Sequence, residues 1–206
     1  MTTITPPPSG TDPTPSIDPT ATIAPTAVLR GDVRLGPNVV VRDGAILVAD
    51  GGTITLGDST IVMEHAVIRS TAADNCTIGS HVMIGPHTHL TGCTVGDEVF
   101  IATGASVFNG ATLRKWSEVR INGVVHIDTL LEEDTTVPIG WIAVGTPASI
   151  FPPERHDDIW AIQKDLDFPY RVFGEPRQSD TGVSLMRRMI GKYASALRKR
   201  MRRDPA

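Results

Sequence analysis

Residues 95–125 read VGDEVFIATGASVFNGATLRKWSEVRINGVV, and an aliphatic residue returns at every sixth position of this stretch. An amphipathic α-helix would place its apolar residues three and four apart, and a half-buried β-strand would place them two apart. A step of six, with Gly and Asn between the aliphatic residues, is typical of a short strand followed by a turn. The stretch therefore predicts a β-helix, in which successive coils stack and bury their aliphatic residues inside.

The same phase continues towards the N-terminus as far as Leu35, if gaps of nine, ten and five residues are interpreted as loops. Three strands make one coil, and the inward residues of successive coils stack at the strand spacing of about 4.8 Å. We therefore expect an all-β fold over residues 26–150, a parallel β-helix of hexapeptide repeats. The residues predicted to point inward are Leu35, Val41, Leu47, Leu56, Val62, Ile68, Ile78, Ile84, Leu90, Val95, Ile101, Val107, Leu113, Val119 and Val125.

The two ends of the chain differ from these repeats. Residues 1–25 contain seven prolines among Thr, Ser and Asp, a composition that predicts a disordered tail. Residues 151–173 are predicted to cover the open end of the coils, with a helix over residues 154–167. Residues 174–206 predict a linker followed by a basic amphipathic helix over residues 184–203.

The second predicted helix combines an apolar stripe with many basic residues. From residue 185 to residue 206 the chain has eight Lys or Arg against one Asp, so the formal charge is +7 there and −11 elsewhere. Such a helix either packs against the acidic body of its own chain or binds an anionic membrane surface or partner. Its apolar residues are Met186, Ile190, Tyr193, Leu197 and Met201.

Composition argues against several classes of protein. The formal net charge of −4 is unfavourable for nucleic-acid binding by the chain as a whole. The sequence has no apolar run of about 18 residues and no basic segment followed by an apolar one at its start, so neither a membrane span nor a secretory signal is predicted. With Cys76 and Cys93 as the two cysteines, we expect buried thiols and a reducing cytoplasm.

Five motifs along the coils resemble those of the gamma-class carbonic anhydrases. The resemblance covers roughly residues 24–165 and implies a left-handed β-helix and a homotrimer. It also implies a zinc ion, held by three His at the subunit interface, that hydrates carbon dioxide. The motifs are GAILVAD, ITLGDST, VMIGPHTHLTGC, TVGDEVFIATGASVFNGA and IGWIAVGTPA.

The functional residues of that family are only partly present at the matching positions. The family's Arg-Gly-Asp falls on Val48-Ala49-Asp50, whereas Arg30-Gly31-Asp32 belongs to an earlier coil. Its Gln and Asp fall on Met63 and Glu64. Its three zinc-binding His fall on Arg69, Pro86 and Thr91, none of which can replace an imidazole. The resemblance therefore leaves Asp50, Glu64 and Arg69 as candidate catalytic residues.

Three His lie close to the altered positions. The repeat phase stacks His65 on His87 in successive coils, and His89 shares a face with Arg69 and Thr91. His65, His87 and His89 are therefore candidate ligands of zinc or another divalent metal. Alternatively, His65 and His87 are turn residues, because the equivalent positions of other coils hold Gly44, Gly104 and Asn122, which favour positive φ. His126 lies two coils further along and is interpreted as a surface imidazole.

Three functions remain open. The first is a lyase in which the relocated His hold a metal whose bound water attacks carbon dioxide. The second is a hexapeptide acyltransferase with a His as general base and an acyl donor as substrate. The third is a non-catalytic trimeric scaffold. Arg69 beside Asp50 and Glu64 is also suited to hold a carboxylate ligand such as bicarbonate.

Overall fold

The computed structural model describes residues 13–178 and 182–203, with the backbone alone at residues 200–203. Within these residues the chain winds through three sheets, here named A, B and C. Sheet A contains β1 (Ser16–Ile17), β4 (Val33–Leu35), β7 (Ile54–Leu56), β10 (Cys76–Ile78), β13 (Thr94–Val95), β16 (Thr112–Leu113) and β19 (Leu130–Leu131). Sheet B contains β2 (Thr22–Ile23), β5 (Val40–Val41), β8 (Ile61–Val62), β11 (Met83–Ile84), β14 (Phe100–Ile101), β17 (Glu118–Val119) and β20 (Thr136–Val137). Sheet C contains β3 (Val28–Arg30), β6 (Ile46–Asp50), β9 (Val67–Thr71), β12 (His89–Thr91), β15 (Ser106–Val107), β18 (Val124–Val125), β21 (Ile142–Val144) and β22 (Ser149–Phe151).

Every third strand belongs to the same sheet, and neighbouring strands of a sheet run parallel up to β21. The predicted fold class, a parallel β-helix of hexapeptide repeats with C-terminal helices, is confirmed. All fifteen residues predicted to point inward are buried, and Leu131, Val137 and Ala143 extend their series. Cys76 and Cys93 lie in the same interior as free thiols, with their Sγ atoms 3.8 Å apart.

The coils begin earlier than predicted. Residues 1–25 are predicted to be disordered, but β1 and β2 lie within this range and pair with β4 and β5. The reason is that Ile17 and Ile23 continue the six-residue phase, while Pro19 and Pro25 fall in the turns between strands. The proline-rich composition of this segment therefore reflects its turns. Residues 1–12 lie outside the described residues.

The C-terminal segment is more divided than predicted. Strand β22 pairs antiparallel with β21, and α1 (His156–Gln163) lies within the helix predicted over residues 154–167. A further helix, α2 (Phe168–Phe173), follows it. Pro169 lies in the first turn of α2, where its missing N–H costs nothing, so it starts a new helix. The last helix, α3, spans Leu185–Arg203. None of the described helices is both long and apolar enough to cross a membrane.

Helices α2 and α3 are fixed to the coils by charged and aromatic contacts. Arg171 in α2 donates to Asp74 at 2.9 and 3.0 Å and to Asp128 at 2.8 and 2.9 Å. The ring of Phe173 meets that of Tyr193 in α3 edge to face, with centroids 5.7 Å apart. These contacts bring α3 beside the outer face of sheet C.

Candidate functional site

The outer face of sheet C carries three of the six candidate site residues, Asp50, Arg69 and His89, together with Thr91. The strand register pairs Arg69 in β9 with Thr91 in β12. Asp50, at the end of β6, forms an ion pair with the Arg69 guanidinium. The structure therefore brings Asp50, Arg69 and Thr91 together. Arg69 and Thr91, two of the three positions at which the gamma-class carbonic anhydrases have zinc-binding His, thus lie side by side.

The environment of Arg69 keeps its side chain cationic. Partial burial acts to lower the pKa of Arg69. The hydrogen bond and the charge of Asp50, together with a smaller contribution from Tyr193, outweigh this effect, so the pKa is raised overall. The Arg69 side chain is still 33% exposed. A partly accessible, permanently charged guanidinium beside a hydroxyl is suited to a planar anion.

His89 lies next to this pair in β12. Its Nε2 is 2.8 Å from Thr91 Oγ1, within hydrogen-bond distance. Burial, and secondarily the charge of Arg69, lowers the pKa of His89 from the ordinary value of 6.5. The imidazole is therefore mostly neutral at pH 7, so one of its nitrogens can accept a proton.

His126 lies on the same face, two coils from Thr91 as the sequence indicates, but its side chain is less exposed than predicted. The Phe108 ring lies between the two imidazoles, with its centroid 6.1 Å from that of His89 and 6.5 Å from that of His126. His126 is half-buried, and its Nδ1 has no hydrogen-bond partner within the part of the chain that the structure describes. Burial lowers the pKa of His126, with Asp128 acting in the opposite direction. The interpretation of His126 as a surface imidazole is therefore wrong.

His65 and His87 lie away from this face, at the corner between sheets B and C. Their rings stack as predicted, with centroids 5.2 Å apart and planes 13° apart. Their φ angles are 58° and 56°, in the left-handed region that Gly44 and Asn122 occupy at the same corner of other coils. Ligands of one zinc ion lie about 2.0–2.1 Å from it and point towards a single centre. Parallel rings at this separation do not converge in that way.

The predicted ligands are consequently not assembled within one chain. Across residues 13–178 and 182–199, no group of three or more His, Cys, Asp or Glu side chains is placed to hold a metal ion. His65 and His87 are turned outwards by their left-handed backbone, whereas His89 points from a strand of sheet C. Glu64 is also separate from Arg69, because its carboxylate accepts a hydrogen bond from Arg42 Nε at 3.1 Å.

Pro86, the third of the altered positions, lines a groove on the other side of the corner. The groove has a volume of about 300 Å³ and is mostly apolar. It is lined on sheet B and its turns by Met63, Met83, Gly85, Pro86, Phe100, Ala102, Thr103, Arg120, Ile121 and Ile139. Within one chain, Pro86 therefore belongs to a different surface from Arg69 and Thr91.

Known proteins are similar to this chain in its repeat and in its sequence. Residues 75–109 match the family model "Bacterial transferase hexapeptide (six repeats)". Gamma carbonic anhydrase 1, mitochondrial, of Arabidopsis thaliana is 32% identical over 125 residues, which cover 57% of this chain and 43% of that protein. Gamma carbonic anhydrase 2, mitochondrial, of the same plant is 28% identical over 175 residues, covering 80% of this chain and 60% of that protein. The resemblance to gamma-class carbonic anhydrases is confirmed.

The extent of this likeness is limited. The chain spans 60% or less of the length of the curated relatives described above. Among solved structures, a hexapeptide transferase family protein from Anaplasma phagocytophilum is 29% identical with a TM-score of 0.48, covering 73% of this chain and 85% of that one.

Two residues of the site, Tyr193 and Phe108, are not among the candidates predicted from the sequence. Tyr193 appears there only as a member of an amphipathic stripe, and its contact with Arg69 depends on how α3 folds back. Phe108 follows β15 as an ordinary outward residue of the repeat. The six-residue phase could have placed Phe108 beside Thr91 and His126, because all three directly follow inward residues of sheet C.

Proposed function

We propose that the protein is a gamma-carbonic-anhydrase-like homotrimer that binds a small carboxylate at Arg69, with bicarbonate as the first ligand to test. One observation carries this proposal. Arg69 and Thr91 occupy two neighbouring positions at which the resembling family places zinc-binding His. The polar character of the site is kept, while its preference changes from a metal cation to an anion.

The chemistry of the site supports a carboxylate ligand. A guanidinium has five N–H donors in a fork that matches two carboxylate oxygens. The Thr91 hydroxyl and the His89 imidazole lie beside it, 2.8 Å from each other, and supply neutral polar partners. Asp50 offsets the charge of Arg69, so a ligand has to compete with Asp50 for the guanidinium, and we expect weak to moderate affinity.

The homotrimer is supported by the two separate surfaces. Arg69 and Thr91 lie on the outer face of sheet C, and Pro86 lies in the apolar groove on sheet B. Pro86 can approach Arg69 and Thr91 only across an interface, in which sheet C of one chain faces the corner between sheets B and C of another chain. The exposed apolar residues Phe100 and Ile139 would be covered in such a contact.

The zinc ion that the resemblance implies does not fit the residues of one chain. Two of the implied ligand positions hold Arg69 and Thr91, and the stacked rings of His65 and His87 do not converge on one point. Because these residues are not suited to hold zinc, we expect carbon dioxide hydration by the purified protein to be weak at most.

Thermal unfolding with added bicarbonate tests the proposal. We expect bicarbonate to raise the melting temperature of the full chain, and Arg69→Gln to abolish this rise. The matched control is Arg114→Gln, which removes an exposed arginine paired with Glu132 and should leave the rise intact. Each variant is compared with its own unliganded melting temperature, so a loss of stability does not imitate a loss of binding. An equal rise in Arg69→Gln would contradict the proposal.

Acyl transfer is the second candidate, because the His89 imidazole is mostly neutral and lies within hydrogen-bond distance of the Thr91 hydroxyl. In this reaction His89 would take a proton from an acceptor hydroxyl or amine. The acceptor oxygen or nitrogen would then bond to the acyl carbon, and the thiolate of coenzyme A would leave and be protonated. Release of free thiol from acetyl-coenzyme A in the presence of small amines tests this, with His89→Gln expected to stop the release.

The remaining alternatives are outcomes of these measurements. A trimer that binds neither bicarbonate nor acetyl-coenzyme A would support the non-catalytic scaffold. Light scattering that gives the 22.1 kDa of a single chain would contradict the homotrimer. A cytoplasmic location stays a prediction, because the two Arabidopsis relatives described above are named as mitochondrial proteins.

A further inference from the structure

Helix α3 presents an apolar stripe that the rest of the described chain leaves uncovered. Met186 is 59% exposed and Ile190 is 55% exposed. Leu197, two turns further along, extends the same side of the helix and is partly exposed. Residues separated by three, four and seven positions lie on one side of a helix, so these side chains form one strip. Tyr193 lies in the same strip, is 37% exposed, and contacts Phe173 and Arg69.

The exposure of this stripe does not result from a detached helix. Met189, at the edge of the strip, is buried, and on the opposite side of the helix Arg188 and Lys192 reach Glu175 at 3.4 and 3.3 Å. Arg188 also donates to the carbonyl oxygens of Val183 and Pro176 at 2.6 and 2.7 Å. The helix is thus held to the chain by its Arg188–Lys192 side and by Tyr193, and these contacts leave Met186 and Ile190 exposed.

The charge of the helix is the reverse of that of the remaining chain. Residues 185–203 contain eight Lys or Arg and no Asp or Glu, a formal charge of +8. The remaining chain has 11 Lys or Arg and 23 Asp or Glu, a formal charge of −12. Arg187 and Arg198 are exposed next to the apolar stripe. A partner for this surface therefore offers negative charge around an apolar layer.

We infer that α3 binds the surface of a bilayer containing anionic phospholipid. Met186 and Ile190 enter the boundary between headgroups and acyl chains, while Arg187 and Arg198 contact the lipid phosphates. This combination of an apolar strip with basic flanks and low mean hydropathy is characteristic of helices that lie in the membrane interface. An acidic protein surface would satisfy the charges but would not need the two exposed apolar side chains.

Flotation of the full chain with lipid vesicles tests this inference. We expect binding to phosphatidylcholine vesicles that contain phosphatidylserine, and little binding to phosphatidylcholine alone. Each basic side chain near an anionic surface strengthens binding by about fivefold, so Arg187→Glu with Arg198→Glu should weaken it by at least about 25-fold. Added salt should weaken the binding of the unchanged chain, because these charges are exposed.

The apolar contribution has its own variants and control. Met186→Ser with Ile190→Ser should abolish flotation, whereas Ile17→Ser, which alters an aliphatic residue of similar exposure in β1, should not. Circular dichroism and light scattering on each variant separate loss of binding from loss of fold. Equal binding to both kinds of vesicle would overturn the inference. So would a change of oligomeric state in Met186→Ser with Ile190→Ser, since a second copy of the chain would then cover the stripe.

Discussion

The imidazole rings of His65 and His87 stack at one corner of two successive coils, with their centroids 5.2 Å apart. Both residues have φ near 57°, and the glycines and the asparagine at the same corner of other coils also have positive φ, between 55° and 70°. Asn and His are among the non-glycine residues enriched in this region, whereas a β-branched residue is strained there. Backbone conformation thus accounts for the identity of these residues without a metal.

The first prediction concerns this corner. Replacing His87 by Gly or Asn should leave the free energy of unfolding nearly unchanged, because both residues accept a positive φ. Replacing it by Val should cost about 1–3 kcal/mol in strain. Urea unfolding of the three variants measures these differences. A large loss in His87→Gly, reversed by added zinc, would instead indicate a metal ligand.

The six-residue phase was sufficient to predict the interior of the coils and the His65–His87 stack, because both follow from strand spacing alone. It also extends through Ile17 and Ile23, where the proline content of the segment led to the opposite expectation. Contacts made by the C-terminal helices could not be predicted. Tyr193 reaches Arg69, and Arg171 reaches Asp74 across 97 positions, through loops whose path has no periodic signal.

The second prediction concerns the clamp between α2 and the coils, which is formed by Arg171 with Asp74 and Asp128. Arg171→Met should lower the free energy of unfolding by about 2 kcal/mol, because it leaves Asp74, which is largely buried, without its charged partner. Arg114→Met, which removes an exposed pair with Glu132, should cost less than about 0.5 kcal/mol. Chemical denaturation of both variants provides the comparison, and equal losses would show that the clamp contributes no more than a surface pair.

The third prediction tests the repeat itself within one strand. Ile84 is fully buried in β11, and its neighbour Met83 points outwards and is 38% exposed. Ile84→Ala should cost about 2–5 kcal/mol through lost burial and the cavity left behind. Met83→Ala should cost much less in a monomer. If Met83→Ala also lowers the stability strongly and in a manner that depends on protein concentration, the groove on sheet B is an interface between chains.

The fourth prediction concerns truncation. Deleting residues 184–206 should leave the coils folded, because the buried core of the β-helix includes no residue of α3. The loss of Met189 and Tyr193 should lower the melting temperature by a few degrees at most. Limited proteolysis and circular dichroism of the truncated chain measure this. A truncated chain without β-structure would show that α3 is needed for folding of the coils.

The fifth prediction is a loss of stability in mild acid that originates from two His. Burial lowers the pKa of His89 and of His126 below the ordinary 6.5, so the unfolded chain binds protons that the folded chain does not. The free energy of unfolding should therefore fall as the pH drops from 7 through 6.5, by less than about 1.4 kcal/mol per pH unit for each group. Below the folded pKa values of the two His it should stop falling, until carboxylates of the unfolded chain begin to bind protons. Asp74 contributes at that stage, because burial acts to raise the pKa of its folded carboxyl but hydrogen bonds from Arg171 and Asn109 lower it overall. Urea unfolding at several pH values and one protein concentration measures this slope. His89→Gln and His126→Gln should each reduce it, whereas His156→Gln, at a side chain that is 80% exposed, should leave it unchanged.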